Sequence, residues 1–454
     1  MGSIPHTPDT LPRNRKFSFR DSNATLAVAS STGAVENESI RKDTNLYKLF
    51  RPFLLLFRIG GMFFGDAFRT DSTAPRIQRI IEAFFCFYST VALLLCWFDT
   101  SVFVYACYHR WHDLPMTFED MPTIVEYISR NLWAVQFCVV FLIFYRASLS
   151  KHGWSYFIRQ WETLSYNCVF PNCKGHERFH REFRKRRNVL LTVALVHLGI
   201  QLTSTYGSRA NLGEVGDTYV QPEIDIAKRV ADFFLSFCFT VPIYFFAMVA
   251  FVISLSFRHL KEDLAYVLQS GTGGKCIEDF RKQHQGLCAL VQIADSLFAA
   301  FLIIEITLSV LQVLFEVFML QAELDSGTSV NTGNALSYVL WCVTYVSQVT
   351  IVLSMGASVN EAAHSPELDL FSVDQNTLTV AQCRQLQIFL TRITCSKIGF
   401  TAGGVFVIER SAVAEVFGTY ITYQILIFEL RLDLKMDNIV ESVRDCQCLK
   451  SLTA

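Results

Sequence analysis

Glu415, Thr419, Thr422, Leu426 and Glu429 recur at steps of four, three, four and three residues. On a helix that spacing places them on one face: an acid, two hydroxyls, a leucine, then an acid again. One such helix cannot enclose anything. Repeated around a symmetry axis, the same face would line a path in which carboxylates and hydroxyls attract cations, and a ring of Leu426 would close the path by dewetting. The alternative is that the face packs inside its own chain with its acids bonded to neighbours, and periodicity alone weighs the two equally. The opposite face carries Ala414, Phe417, Ile421 and Ile425, and Gly418 offers room for a second helix to approach.

A second set of polar residues sits inside other apolar runs. Glu305, Ser309, Gln312 and Glu316 fall four, three and four apart, and Tyr338, Trp341, Tyr345 and Gln348 form a similar stripe on the next run. Ionisable groups in hydrocarbon cost roughly 2.5–3.5 kcal/mol each, so they need partners, water or a ligand. Two such stripes, with Gln201 from an earlier run, suit a pocket whose aromatics stack on a small organic molecule and whose carboxylates and amides bond its hydroxyls or amine. The bland reading is ordinary interhelical bonding, and it applies most to His197. Glu126 and Arg130, four apart, are expected to pair with each other.

These stripes need long apolar helices to carry them, and the composition supplies them. The chain of 454 residues is 51% hydrophobic, with 40 Phe and a mean hydropathy of +0.31. Seven runs are long enough to cross about 30 Å of hydrocarbon, at about 80–107, 122–147, 188–207, 228–256, 297–321, 335–357 and 408–430. Seventeen Lys and Arg residues fall in the links after the second, fourth and sixth runs, against Arg110 and Arg209 in the links after the first, third and fifth. Positive charge stays on the cytoplasmic side. The expected fold is therefore an all-α, seven-helix membrane protein with its N-terminus cytoplasmic and its C-terminus extracellular. That orientation is opposite to the rhodopsin-like receptors, whose Asp-Arg-Tyr and Asn-Pro-x-x-Tyr motifs are also missing.

The expected organisation follows. Residues 1–45 read as a disordered cytoplasmic tail, polar and without the apolar core of a signal peptide. Residues 46–75 hold an amphipathic membrane-surface segment, LYKLFRPFLLLFRIGGMFF. Residues 76–397 form a six-helix ligand-binding region with cytoplasmic helical extensions (KEDLAYVL, IEDFRKQHQGLCALVQIADSLF, VAQCRQLQIFLTRITCSKIGF). Residues 398–430 hold the last helix, and 431–454 an extracellular tail. Asn23 and Asn37 head glycosylation patterns, but a cytosolic tail predicts that neither is modified. The cysteines imply no disulfide framework. Cys168 and Cys173 lack zinc-like partners, so no metal or other cofactor is expected. SGTGGKC departs from the phosphate-loop pattern at Gln269 and Cys276 and reads as a flexible turn. No protease, hydrolase or paired Cys-x-x-Cys motif appears, and the unequal runs show none of the inverted symmetry of a transporter. The chain is read as neither an enzyme nor a nucleic-acid binder.

GFTAGGVFVIERSAVAEVFGTYITYQILIFEL resembles the final helix of arthropod gustatory receptors, part of the insect chemoreceptor superfamily. Their signature there is Thr-Tyr, several apolar residues, then Gln-Phe. This chain has Thr422-Tyr423-Gln424, four apolar residues, then Glu429-Leu430. FTAGGVF is also close to the family's lead into that helix. The resemblance extends to chain length, span number, orientation and charged cytoplasmic links. It implies a homo- or heterotetrameric, ligand-gated, nonselective cation channel in the plasma membrane of sensory neurons, opened by a small tastant, with a sugar as first expectation and a bitter or other small organic compound next. The last helix would line the pore, with the gate carried over to Leu426, Glu429 and Leu430. Glu429 stands where relatives have glutamine, which implies stronger attraction for cations.

Overall fold

The computed structural model describes residues 46–64, 76–113, 121–150, 153–164, 173–216, 222–269, 273–325, 332–374, 376 and 378–429. The expected N-terminal and C-terminal tails, the two glycosylation patterns, the Cys168 loop and Leu430 lie outside the described residues. The helices are α1 (Leu46–Ile59), α2 (Arg76–Asp113), α3 (Met121–Leu149), α4 (Trp154–Leu164), α5 (Cys173–Gly216), α6 (Pro222–Gln269), α7 (Gly273–Asp325), α8 (Thr332–His364), α9 (Glu367–Phe371) and α10 (Val380–Cys395). A two-stranded hairpin, β1 (Thr401–Ala402) and β2 (Phe406–Val407), leads into α11 (Arg410–Glu429). The all-α architecture is as expected. Six of these helices are long and apolar enough to cross a membrane, α2, α3, α6, α7, α8 and α11. The expected third span falls in α5, whose described side chains end at Thr203.

From Phe234 to Phe257 helix α6 is buried on every side, with Leu235, Ile243, Phe246, Ile253 and Phe257 at the centre of the protein. An all-round hydrophobic helix has no face for water or lipid, so the other helices gather about it. The densest packing is aromatic. Phe298 of α7 lies 5.2 Å from Trp154 and from Phe246, and 6.1 Å from Phe144 and Phe245. In contrast, α2 shows Ile77, Ile80, Phe84, Phe87 and Leu94 to the outside, an apolar face of the kind a lipid bilayer covers.

The basic links meet at one end of the bundle. Arg178 at the start of α5 reaches Glu262 at the end of α6 (3.3 Å), Lys261 reaches Asp369 of α9 (3.9 Å), and His284 of α7 bonds the carbonyl of Ala363 in α8 (2.9 Å). The expected cytoplasmic extensions are helical: KEDLAYVL ends α6, IEDF onward opens α7, and α10 starts on a capping box between Thr379 and Gln382. Two expectations change. Gly273 to Cys276 of the supposed flexible turn already belong to α7, because glycine at a helix start is little penalised when apolar packing begins one turn later. And most of the apolar surface of α1 packs on the bundle. Phe50, Phe53, Leu54 and Phe57 are buried against the bundle, with Phe57 4.8 Å from Phe245. Tyr88 of α2 fastens its end by donating to the Ile59 carbonyl (2.7 Å). Tyr88→Phe removes that single bond and is expected to cost about 1 kcal/mol, read as a small drop in the thermal midpoint of the purified protein.

Candidate functional site

The two expected polar stripes face each other across the bundle, and α3 joins them. Glu305 is almost wholly buried. It accepts from Ser309 Oγ (3.1 Å) on its own helix and from Gln136 Nε2 (3.4 Å) on α3. One turn further, Gln312 Nε2 donates to the Ser129 carbonyl (2.9 Å) and Gln312 Oε1 accepts from Ser129 Oγ (2.6 Å). Glu316, half-buried, lies near the Glu126–Arg130 pair, which forms as expected. On α8, Trp341 and Tyr345 stack at 5.7 Å, and Phe239 of α6 turns its edge to both, at 5.9 and 5.6 Å. Gln348 Nε2 donates to the Phe239 carbonyl (3.4 Å). His197 of α5 meets Phe239 at 5.5 Å and shares a hydrogen bond with Tyr244 Oη (3.2 Å), the bonded core role expected of it. Gln201 is buried one turn beyond.

Sequence reading missed the contribution of α3. Ser129, Trp133 and Gln136 sit four and three apart, the same spacing that exposed the other stripes. The Glu126–Arg130 pair lies on the same side of α3, next to these residues, and its own pairing masks the stripe they form. Phe239 carries no such signal, since it is one of many phenylalanines in an all-apolar helix.

The cluster keeps polar atoms in reserve. Trp133 Nε1, Gln136 Oε1, Gln201 Nε2, Thr240 Oγ1 and Gln348 Oε1 are buried without a partner in the chain. Buried polar atoms left unpaired cost about 1–3 kcal/mol each. Five such atoms on α3, α5, α6 and α8 are polar groups that a molecule with its own donors and acceptors would satisfy. Gln312 is different, because its bonds are made within the chain. Gln312→Leu strands Ser129 Oγ, and is expected to lower stability by about 2 kcal/mol, measured as a fall in thermal midpoint.

The last helix packs by one face only. Val413, Val416, Phe417, Tyr420 and Ile427 turn toward the bundle, where Val416, Phe417 and Tyr420 close a small apolar cleft against Val310, Val313, Val346 and Val349. Glu415, Thr419, Thr422, Leu426 and Glu429 lie on the other side, all exposed. The packing face is thus rotated from the one expected. Only Phe417 of the supposed apolar set packs inward, and Ala414, Ile421 and Ile425 face out to one side, because the inward positions include Tyr420, whose ring buries as well as an isoleucine. Nothing approaches within 4 Å of a side chain built on Gly418.

The root of α11 is held much more firmly. Thr401 donates from its backbone N–H (2.6 Å) and its hydroxyl (2.9 Å) to the carboxylate of Asp295 on α7. Gly403 N–H donates to the Ala299 carbonyl (2.9 Å). Gly403 and Gly404 take positive φ of 63° and 74° to turn the hairpin, and a Cβ on Gly403 would press on Ile303 at 3.0 Å. From α8, Asn360 donates to the Ile398 carbonyl (2.9 Å) and Glu361 pairs with Arg410.

The model of the 7tm chemosensory receptor family matches residues 50–428. This chain belongs to that family. The helices that hold the stripes and the final exposed helix are therefore parts of a multi-pass chemosensory receptor, a family of receptors and not of enzymes. The structure is similar to the insect olfactory receptor OR5 from Machilis hrabei, with a TM-score of 0.64 at 16% identity over 85% of this chain and 98% of that one. The same receptor solved in complex with eugenol gives a TM-score of 0.58 over the same shares of both chains. At that identity the likeness is one of fold. No curated protein matches the sequence closely enough to count as a relative.

Proposed function

We propose that this receptor is a taste receptor acting as a ligand-gated, nonselective cation channel, opened by a small tastant held between α3, α5, α6, α7 and α8. The observation that carries the reading is the sidedness of α11. Its acid, hydroxyl and leucine face lies away from its own chain, where a lone protomer would leave it without purpose. Around a tetramer axis, in a homomer or with related receptors, those residues would form stacked rings that draw cations. Gly418 would give a neighbouring subunit close approach. The basic end of the bundle is read as cytoplasmic, and the plasma membrane of a sensory neuron as its location.

The unpaired amides of Gln136, Gln201 and Gln348, beside Glu305 and Glu316, suit a hydroxyl-rich ligand, so a sugar is the first reading. The aromatic wall of Trp341, Tyr345 and Phe239 favours a second, a bitter or other small organic compound, and the related fold bound to eugenol supports it. Recording currents from cells expressing this chain alone, against a panel of sugars and bitter compounds, separates the two. Agonist-evoked cation current that Gln348→Leu abolishes, with surface expression intact, is the expected result. Uptake of a compound without unitary currents would overturn the channel reading in favour of a transporter.

A further inference from the structure

Several cations at the basic end are answered within the chain: Arg178 by Glu262, Lys261 by Asp369, Arg281 by Glu278, Arg410 by Glu361. Others that sit beside apolar runs are not, and five of these fall on two neighbouring helices. Among the described residues, Arg51 and Arg58 of α1 and Arg184, Lys185 and Arg186 of α5 have no carboxylate partner. The three on α5 directly precede the apolar stretch that starts at Val189. The two helices meet where Phe50 and Phe183 pack edge-on at 5.7 Å, and in each helix the next residue is a cation, Arg51 and Arg184.

Some of these cations are held in place. The Arg58 guanidinium lies over Phe63 (5.6 Å) and Phe85 (5.2 Å), and its buried Nε has no acceptor. Arg186 lies over Phe251 (5.8 Å), and Arg184 Nε donates to the His180 carbonyl (3.3 Å). Burial, and then the charge of Arg184, hold the Arg187 guanidinium below its ordinary pKa. The outward face of α1 decides what kind of anion. Arg51, Leu55 and Ile59 are four apart and all exposed. A cation followed by two apolar side chains on one face matches a headgroup with its acyl chains, and a soluble anion has no use for the apolar part.

We propose that Arg51, Arg58, Arg184, Lys185 and Arg186 form a belt that binds the headgroups of anionic phospholipids in the adjoining leaflet. Each cation near such a surface strengthens attraction by about fivefold. The belt is independent of the ligand site and needs no opening of the channel to be seen.

The test uses the full-length protein in detergent, titrated with short-chain phosphatidylinositol bisphosphate and, separately, phosphatidylcholine, with bound lipids counted by native mass spectrometry. The protein is expected to retain the acidic lipid over the neutral one, and binding is expected to weaken as salt is raised. The triple variant Arg184→Gln, Lys185→Gln, Arg186→Gln is expected to lose at least about tenfold in affinity, while Arg281→Gln, whose partner is Glu278, changes nothing. If the triple variant fails to insert, Arg184→Gln and Arg51→Gln singly are expected to lose severalfold each. Equal retention of both lipids, unchanged binding in the variants, or equally tight binding of free inositol trisphosphate would overturn the proposal.

Discussion

Asp295→Ala is expected to remove agonist-evoked current while leaving ligand affinity nearly unchanged. The carboxylate is the acceptor for both the Thr401 N–H and its hydroxyl, and that hydroxyl in turn accepts from Gly404 N–H (3.2 Å). Truncation would strand two donors at the turn from which α11 rises. Hydrogen bonds to a charged group contribute about 1.5–3 kcal/mol each, so a stability loss of about 3 kcal/mol is expected, visible as a lower thermal midpoint. The functional effect should exceed the structural one. Helix α11 has an exposed outer half and touches the bundle along one stripe, so its direction is set at the hairpin. α7, which holds the hairpin through Asp295, Ala299 and Ile303, also carries Glu305 two residues further on. A ligand that shifts α7 therefore moves the same stretch of helix that grips the root. Thr401→Ser keeps both donors and should keep the current, whereas Thr401→Val keeps only the backbone bond and should fall between. Wild-type currents in Asp295→Ala, at equal surface expression, would show that the root is set elsewhere.

Long apolar runs made the helices readable, because hydrophobic length is a signal that packing cannot disguise. The stripe on α7 was readable for a related reason. Glu305 and Gln312 are so costly in an apolar setting that their spacing alone announces a shared face, and both are buried and bonded across to α3. Three things were not readable. The apolar face of α1 has the same pattern whether it covers lipid or Phe245, since the hydrophobic effect does not distinguish the two. The hairpin at Thr401–Val407 is too short for strand periodicity, and only the paired glycines mark its turn. The inward face of α11 differs from the expected one because Tyr420, which neither face included, packs its ring on α7 and α8. The polar face opposite was legible throughout. Its acids and hydroxyls obey the helical repeat and face away from the protomer.

Leu426→Ala is expected to produce a standing cation leak without agonist, and Glu429→Gln to weaken cation selectivity and divalent block. The two follow from one arrangement. Leu426 and Glu429 are exposed on the face that also carries Glu415, Thr419 and Thr422, nearly opposite Tyr420 and Ile427, which pack inward. When copies of this helix surround an axis, a ring of leucines narrows the path with apolar side chains that water avoids, and alanine widens it by several ångströms in diameter, enough to keep it wet. The neighbouring ring of glutamates concentrates cations by Coulomb attraction in a narrow, poorly screened space. Neutralising it leaves only the Glu415 ring, so the permeability ratio of sodium to chloride should fall severalfold and any block by divalent cations should ease. Reversal potentials in asymmetric salt, and dose–response to calcium, measure both. Glu415→Gln alone should act in the same direction, and combining it with Glu429→Gln should remove most of the preference for cations. If α11 instead lay against lipid, alanine at Leu426 would change neither leak nor block, and the double neutralisation would leave the reversal potential where it was.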